Sequence, residues 1–161
     1  MVIKSVEEAL EAVRKDGYNL RFVPIELQTE EVCLTAVKQT WVALKFVENQ
    51  TEEICLIAIK RDEGALQFVK NQTEEICLQA VKQNGYAVIY AKIQTEEVCL
   101  EAVRQNGLAL RYIKTQTEEI CIEAVKQDGS ALEYVKNQTP KIIQAALLQN
   151  PDIFKYVKLC I

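Results

Sequence analysis

Five cysteines, Cys33, Cys55, Cys77, Cys99 and Cys121, recur every 22 residues, and each follows a doubled acid: Glu30-Glu31, Glu52-Glu53, Glu74-Glu75, Glu96-Glu97 and Glu118-Glu119. Thiols and carboxylates at fixed spacing suggest metal binding, redox chemistry or acid–base catalysis. Each of those readings lacks a part. The chain has no histidine, which removes the commonest general base, the usual partner of a nucleophilic thiol and the commonest zinc ligand. No CxxC pair occurs either. Equivalent helices of neighbouring repeats stand about 8–10 Å apart, whereas a disulfide needs Cα atoms within about 7 Å. Cysteines on such helices therefore act as small buried hydrophobes. Cys160, in the tail, is the candidate reactive thiol. The sequence predicts no catalytic residue, no metal site and no cofactor.

The doubled acids also have two readings. As a strip along one edge they would suit a basic partner or weak divalent-ion sites. As residues one and two of a helix they simply complement the positive end of its dipole. The second reading is preferred, with added pairing to Lys70, Lys92 and Lys114 of the preceding repeats.

The elements that carry these residues are repeats. Thr29, Thr51, Thr73, Thr95, Thr117 and Thr139 each open a 22-residue unit, and a copy two residues longer opens at Ser5. The units run 5–28, 29–50, 51–72, 73–94, 95–116, 117–138 and 139–161. No room is left for a separate catalytic domain. Counting each Thr as position zero, it is a good N-cap. Positions three, four, five, seven and eight form a broad apolar stripe, and position nine is basic in units two to six. Glycine at position twelve (Gly17, Gly85, Gly107, Gly129) reads as a left-handed helix stop. A shorter second helix follows, its core stripe at positions fourteen, fifteen and eighteen. Position seventeen is aromatic in every unit (Phe22, Phe46, Phe68, Tyr90, Tyr112, Tyr134, Tyr156) and is read as core. Gln28, Gln50, Gln72, Gln94, Gln116 and Gln138 suggest a hydrogen-bonded ladder. Ser5 with Glu8 reads as a capping box. The expected fold is all-α: one α-solenoid domain over 1–161, seven stacked two-helix repeats, about fourteen short helices. The apolar tail 157–161 is expected to fold back over unit seven or to be covered by another molecule.

Gln94-Thr-Glu-Glu-Val-Cys-Leu-Glu-Ala-Val-Arg-Gln-Asn-Gly107 and Tyr134-Val-Lys-Asn-Gln-Thr139 resemble a short repeat catalogued as a domain of unknown function. That repeat is found in many copies in giant DNA viruses of amoebae and in some microbes. The resemblance is close over residues 29–138 and looser at both ends. It implies a viral origin and a place in the infected cell's cytoplasm or in a particle, and no chemistry.

Function has to be read from what varies. Positions thirteen, sixteen and twenty change from unit to unit, and unit four places Tyr86, Ile89 and Ile93 where its neighbours carry charges or amides. An apolar patch flanked by polar groups marks a contact surface. Val42 and Arg111 are expected at its rim. Trp41, which replaces the turn glycine in unit two, is either an interface anchor or a local plug; Ile57 in unit three is a further departure. The expectation is a non-enzymatic, self-associating protein–protein interaction or structural module, a homodimer. The alternative is a nucleic-acid-binding helical repeat. A balance of 19 basic against 23 acidic residues, net −4, argues against nucleic acid. No apolar run reaches the roughly 18 residues that span a bilayer. Glu7 and Glu8 come too early for a signal peptide. The expected location is the cytoplasm.

Overall fold

The computed structural model describes residues 3–158 and divides into two bodies, residues 3–72 and 73–158. The first holds units one to three and the second units four to seven. The fold is all-α, with no strand among the described residues. Each unit is one α-helix of ten residues followed by one 3₁₀ helix of six. The α-helices are α1 (Val6–Lys15), α2 (Glu30–Gln39), α3 (Glu52–Arg61), α4 (Glu74–Gln83), α5 (Glu96–Gln105), α6 (Glu118–Gln127) and α7 (Pro140–Gln149). The two extra residues of unit one form a 3₁₀ turn, Ile25–Leu27. Within each body every α-helix packs on the α-helix of the next unit and on the 3₁₀ helix of its own.

The start of each α-helix follows from sequence. Thr29, Thr51, Thr73, Thr95, Thr117 and Thr139 accept a hydrogen bond from the backbone N–H three residues on. In unit one Ser5 Oγ accepts from Glu8 N–H, while the Glu8 carboxylate accepts from Lys4 N–H rather than from that of Ser5.

The end differs from the expected left-handed stop. Among the described residues none, glycine included, has a positive φ. Position eleven turns the chain instead, in extended conformation, ending the α-helix and capping the 3₁₀ helix at once. Asn106, at φ −155° and ψ 109°, accepts a hydrogen bond from Leu108 N–H at 3.0 Å. Asp16, Asp62, Asn84, Asp128 and Asn150 do the same. Thr40 adopts that conformation without the side-chain bond, so α2 ends at Gln39 as its counterparts do and does not run on into Trp41.

Gly17, Gly85 and Gly107, at position twelve, are required for space. A Cβ on Gly17 would lie 2.3 Å from the Ala36 carbonyl oxygen, and one on Gly107 would lie 2.4 Å from that of Ala124. The backbone of the next α-helix occupies the volume of the missing side chain.

The second helix is 3₁₀, and its three-residue period corrects the aromatic ladder. In units one to six positions fifteen and eighteen form one buried row, joined by Gly17, Gly85, Gly107 and Gly129 at position twelve, and position fourteen adds Ala43, Ala65, Ala87, Ala109 and Ala131. Position seventeen falls at the flank. Phe22 and Tyr90 are exposed there, and Phe46, Phe68, Tyr112, Tyr134 and Tyr156 are half-buried. The core rungs are Ile or Val at three, Cys at four, Ala at seven, Val or Ile at eight, and the Ala-Leu or Ala-Val pair of the 3₁₀ helix. The aromatics lie outside it.

Candidate functional site

The repeated polar residues tie unit to unit. Gln116 Nε2 donates to the carbonyl of Leu110 in its own unit (3.3 Å) and to that of Tyr134 in the unit after (3.1 Å). Its Oε1 accepts from Lys136 N–H at 3.0 Å. One amide thus binds three backbone groups, two of them carbonyls of neighbouring 3₁₀ helices. Gln50, Gln94 and Gln138 repeat the pattern, and Gln28 accepts from Glu48 N–H in the same way while donating to the Val23 carbonyl. The expected ladder exists, but its rungs run from side chain to backbone.

A second ladder escaped the sequence reading. Gln127 Oε1 accepts from Gly107 N–H at 2.6 Å and Gln149 Oε1 from Gly129 N–H at 2.7 Å, while Gln39 Nε2 donates to the Arg14 carbonyl at 2.8 Å. The recurrence of Gln at position ten was the available signal.

The acids at position one accept from the N-cap threonine of the following unit: Thr139 to Glu118 at 2.7 Å, Thr117 to Glu96 at 3.2 Å, and Thr95 to Glu74. Lysines at position nineteen were expected to pair with these acids; two ammonium groups of that row, those of Lys70 and Lys136, reach the unit before. Lys70 meets the Glu48 carboxylate at 3.0 Å and Lys136 the Lys114 carbonyl at 2.7 Å. Position nineteen lies beside the backbone of its predecessor, which decides the partner.

The five repeat cysteines form no disulfide and are buried. Burial pushes the thiols of Cys33, Cys55, Cys99 and Cys121 up to about 11, with a further push from Glu30, Glu52, Glu96 and Glu118 respectively. Cys77 is raised by burial too, partly offset by a hydrogen bond from the Ile93 backbone. A thiol held protonated is a poor nucleophile and a poor metal ligand. Among the described residues no three His, Cys, Asp or Glu side chains gather as a metal site. Cys160 lies outside the described residues.

A cleft of about 270 Å³ between units six and seven is lined by Gln116, Glu118, Cys121, Lys136, Thr139 and Ile142. Three of its polar members are committed: Gln116 to three backbone groups, Glu118 to Thr139, and Lys136 to the Lys114 carbonyl.

The candidate contact residues fall in separate bodies. In the second, Tyr86 and Ile89 share one row of the 3₁₀ helix Gly85–Tyr90. Tyr86 is half-buried, its ring edge-on to Tyr112 with centroids 6.0 Å apart. Ile89 is 50% exposed and Tyr90 39%. Ile93 lies beyond that helix and is half-buried. The Arg111 guanidinium sits 4.9 Å from the Tyr112 ring centre and 5.4 Å from that of Tyr134, bridging two units. In the first body Trp41 stacks on Phe68 with centroids 5.8 Å apart, and Trp41 and Val42 are both half-buried. Ile57 lines a shallow groove of about 430 Å³ on α3 with Glu52, Glu53, Leu56 and Lys60.

No helix is long and apolar enough to cross a membrane among the described residues. No curated protein and no solved structure matches the chain. A family model described as a domain of unknown function, DUF4116, matches residues 7–50, 51–94, 73–117, 95–139 and 117–159. These overlapping matches cover nearly all the units just described, and the chain belongs to the DUF4116 family as a multi-copy member.

Proposed function

We propose that the chain is a non-enzymatic repeat scaffold for protein–protein contact, and that it self-associates as a homodimer through the outer face of unit four. One observation carries the reading. The repeated polar groups are spent between units, whereas Ile89, a large apolar side chain, stands half-exposed where other units carry Lys45, Gln67, Arg111 or Glu133. Tyr86, braced on Tyr112, and Ile93 enlarge the patch. Arg111, held between two tyrosines, supplies a pre-positioned cation at its rim. Rigid aromatic and arginine groups of this kind are common interface anchors. Trp41 and Val42 are proposed as a lesser contact in the first body, Trp41 serving mainly to fill the space beside Phe68.

The test is solution mass by light scattering. Ile89→Asp with Ile93→Asp should convert a dimer into a monomer of unchanged helicity. A double variant with the parent's mass overturns this contact.

A nucleic-acid role draws support from one feature, the lysine at position nineteen of each unit from three to seven. The doubled acids at positions one and two of units two to six outnumber that row, and the net charge is −4. Salt-dependent retardation of an oligonucleotide would favour that reading. The family resemblance supports a viral origin, with the scaffold acting in the infected cell's cytoplasm or in a particle.

A further inference from the structure

Asn84-Gly85 and Asn106-Gly107 each set a carboxamide beside a glycine nitrogen. Glycine has no Cβ to screen that nitrogen. In such a pair the nitrogen attacks the asparagine side-chain carbonyl carbon. A new C–N bond closes a succinimide ring, the Cγ–Nδ2 bond breaks, and ammonia leaves with the proton from the glycine nitrogen. Water then opens the ring at either carbonyl, giving aspartate or isoaspartate.

The fold holds Asn106-Gly107 out of this reaction at three points. At φ −155° and ψ 109° the backbone of Asn106 turns the Gly107 nitrogen away from the asparagine side chain. Asn106 Oδ1 is held by Leu108 N–H at 3.0 Å. The Gly107 N–H donates to Gln127 Oε1, on the α-helix of the next unit, at 2.6 Å. The last bond recurs one unit on, where Gly129 N–H meets Gln149 Oε1 at 2.7 Å. There the preceding residue is Asp128, which forms the same ring by loss of water. Gln105, the corresponding residue for Gly85, donates instead to the Glu101 carboxylate at 2.9 Å.

We propose that Asn106 is a site of spontaneous deamidation that Gln127 holds closed, so that the stacking of unit six on unit five sets the chemical lifetime of this turn. The two products differ in consequence. Asp16, Asp62 and Asp128 already fill the same position and accept from the N–H two residues on. An aspartate at 106 therefore keeps the cap. Isoaspartate routes the main chain through the side chain and lengthens it by a methylene. The site has no space for it, since even a Cβ on Gly107 would lie 2.4 Å from the Ala124 carbonyl oxygen. Units five and six must part to admit it.

The test is peptide mapping by mass spectrometry of the intact chain kept in warm, mildly alkaline buffer, with Asn, Asp and isoaspartate at position 106 resolved by chromatography. Asn106 of the folded parent should react far more slowly than in the same chain unfolded in guanidinium. Gln127→Ala should quicken it roughly fivefold, the factor one ordinary hydrogen bond supplies, because the turn then opens more often. Asn84, two units from Gln127, should be unchanged. Gln149→Ala should raise isoaspartate at Asp128 and leave Asn106 alone. Circular dichroism confirms that each variant is folded. Three results overturn the proposal. One is an equal rate at Asn106 in the folded and unfolded parent, and another is no change there in Gln127→Ala. The third is an equal rise at Asn84 in Gln127→Ala or at Asn106 in Gln149→Ala, which would make general loosening the cause.

Discussion

Substituting Gly107 by alanine separates the two explanations of the repeat glycine. In a helix, alanine exceeds glycine by about 1 kcal/mol, and φ is negative here, so a reading from local conformation predicts a more stable protein. Packing predicts the opposite. The new Cβ would stand 2.4 Å from the Ala124 carbonyl oxygen, where ordinary contact begins near 3.4 Å. Units five and six must then separate locally by about 1 Å. Overpacking of this kind costs roughly 1–3 kcal/mol. The 2.6 Å bond from Gly107 N–H to Gln127 is strained by the same movement, adding about 1 kcal/mol. A net loss of about 1–3 kcal/mol is expected after the propensity gain. Gly64→Ala is the control: its new Cβ meets only the end of the Asp62 side chain closely, so a change within about 0.5 kcal/mol is expected. Urea unfolding followed by circular dichroism measures both. Equal effects at the two positions, or stabilisation by Gly107→Ala, would refute the close-approach argument.

Gln116→Ala strands the Tyr134 carbonyl and the Lys136 amide, while the Leu110 carbonyl keeps the Ile113 N–H, and should cost about 2–4 kcal/mol by the same assay. Thr117→Ala removes a helix cap together with the bond to Glu96, for an expected loss of about 1–2 kcal/mol. The raised thiols predict a pH dependence. A folded pKa of about 11 against 9.0 unfolded gives stability that is complete below pH 9 and falls as pH rises toward 11. Melting curves between pH 8 and 11 should therefore slope less for Cys99→Ala than for the parent. At pH 8 the five buried thiols should react with a maleimide only in denaturant.

Sequence alone located every unit because the Thr cap, the first-turn acids and the apolar stripe of the α-helix are local signals. The second helix was harder. Leu108-Ala-Leu-Arg-Tyr112 fits a period of 3.6 or 3.0 almost equally over so few residues, and the choice decides whether Tyr112 is core or flank. Gly107 was assigned a left-handed turn because composition cannot distinguish a need for φ from a need for space. The close approach exists only once Ala124 of the next unit is in place. Gln116 was recognised as a ladder residue, yet its partners are carbonyls, which carry no sequence signature. The unit-four patch was legible as a break in pattern at Ile89.

The central claim is that the repeated polar residues hold one unit to the next. Lys114 and Lys136 are exposed and lie outside every helix, yet their amides donate to Gln94 and Gln116 at 3.0 Å. Residue-resolved hydrogen exchange should find both protected to the level of amides in α5 and α6, with Lys136 alone losing protection in Gln116→Ala. Exchange of these two amides at the rate of an open loop would contradict the account.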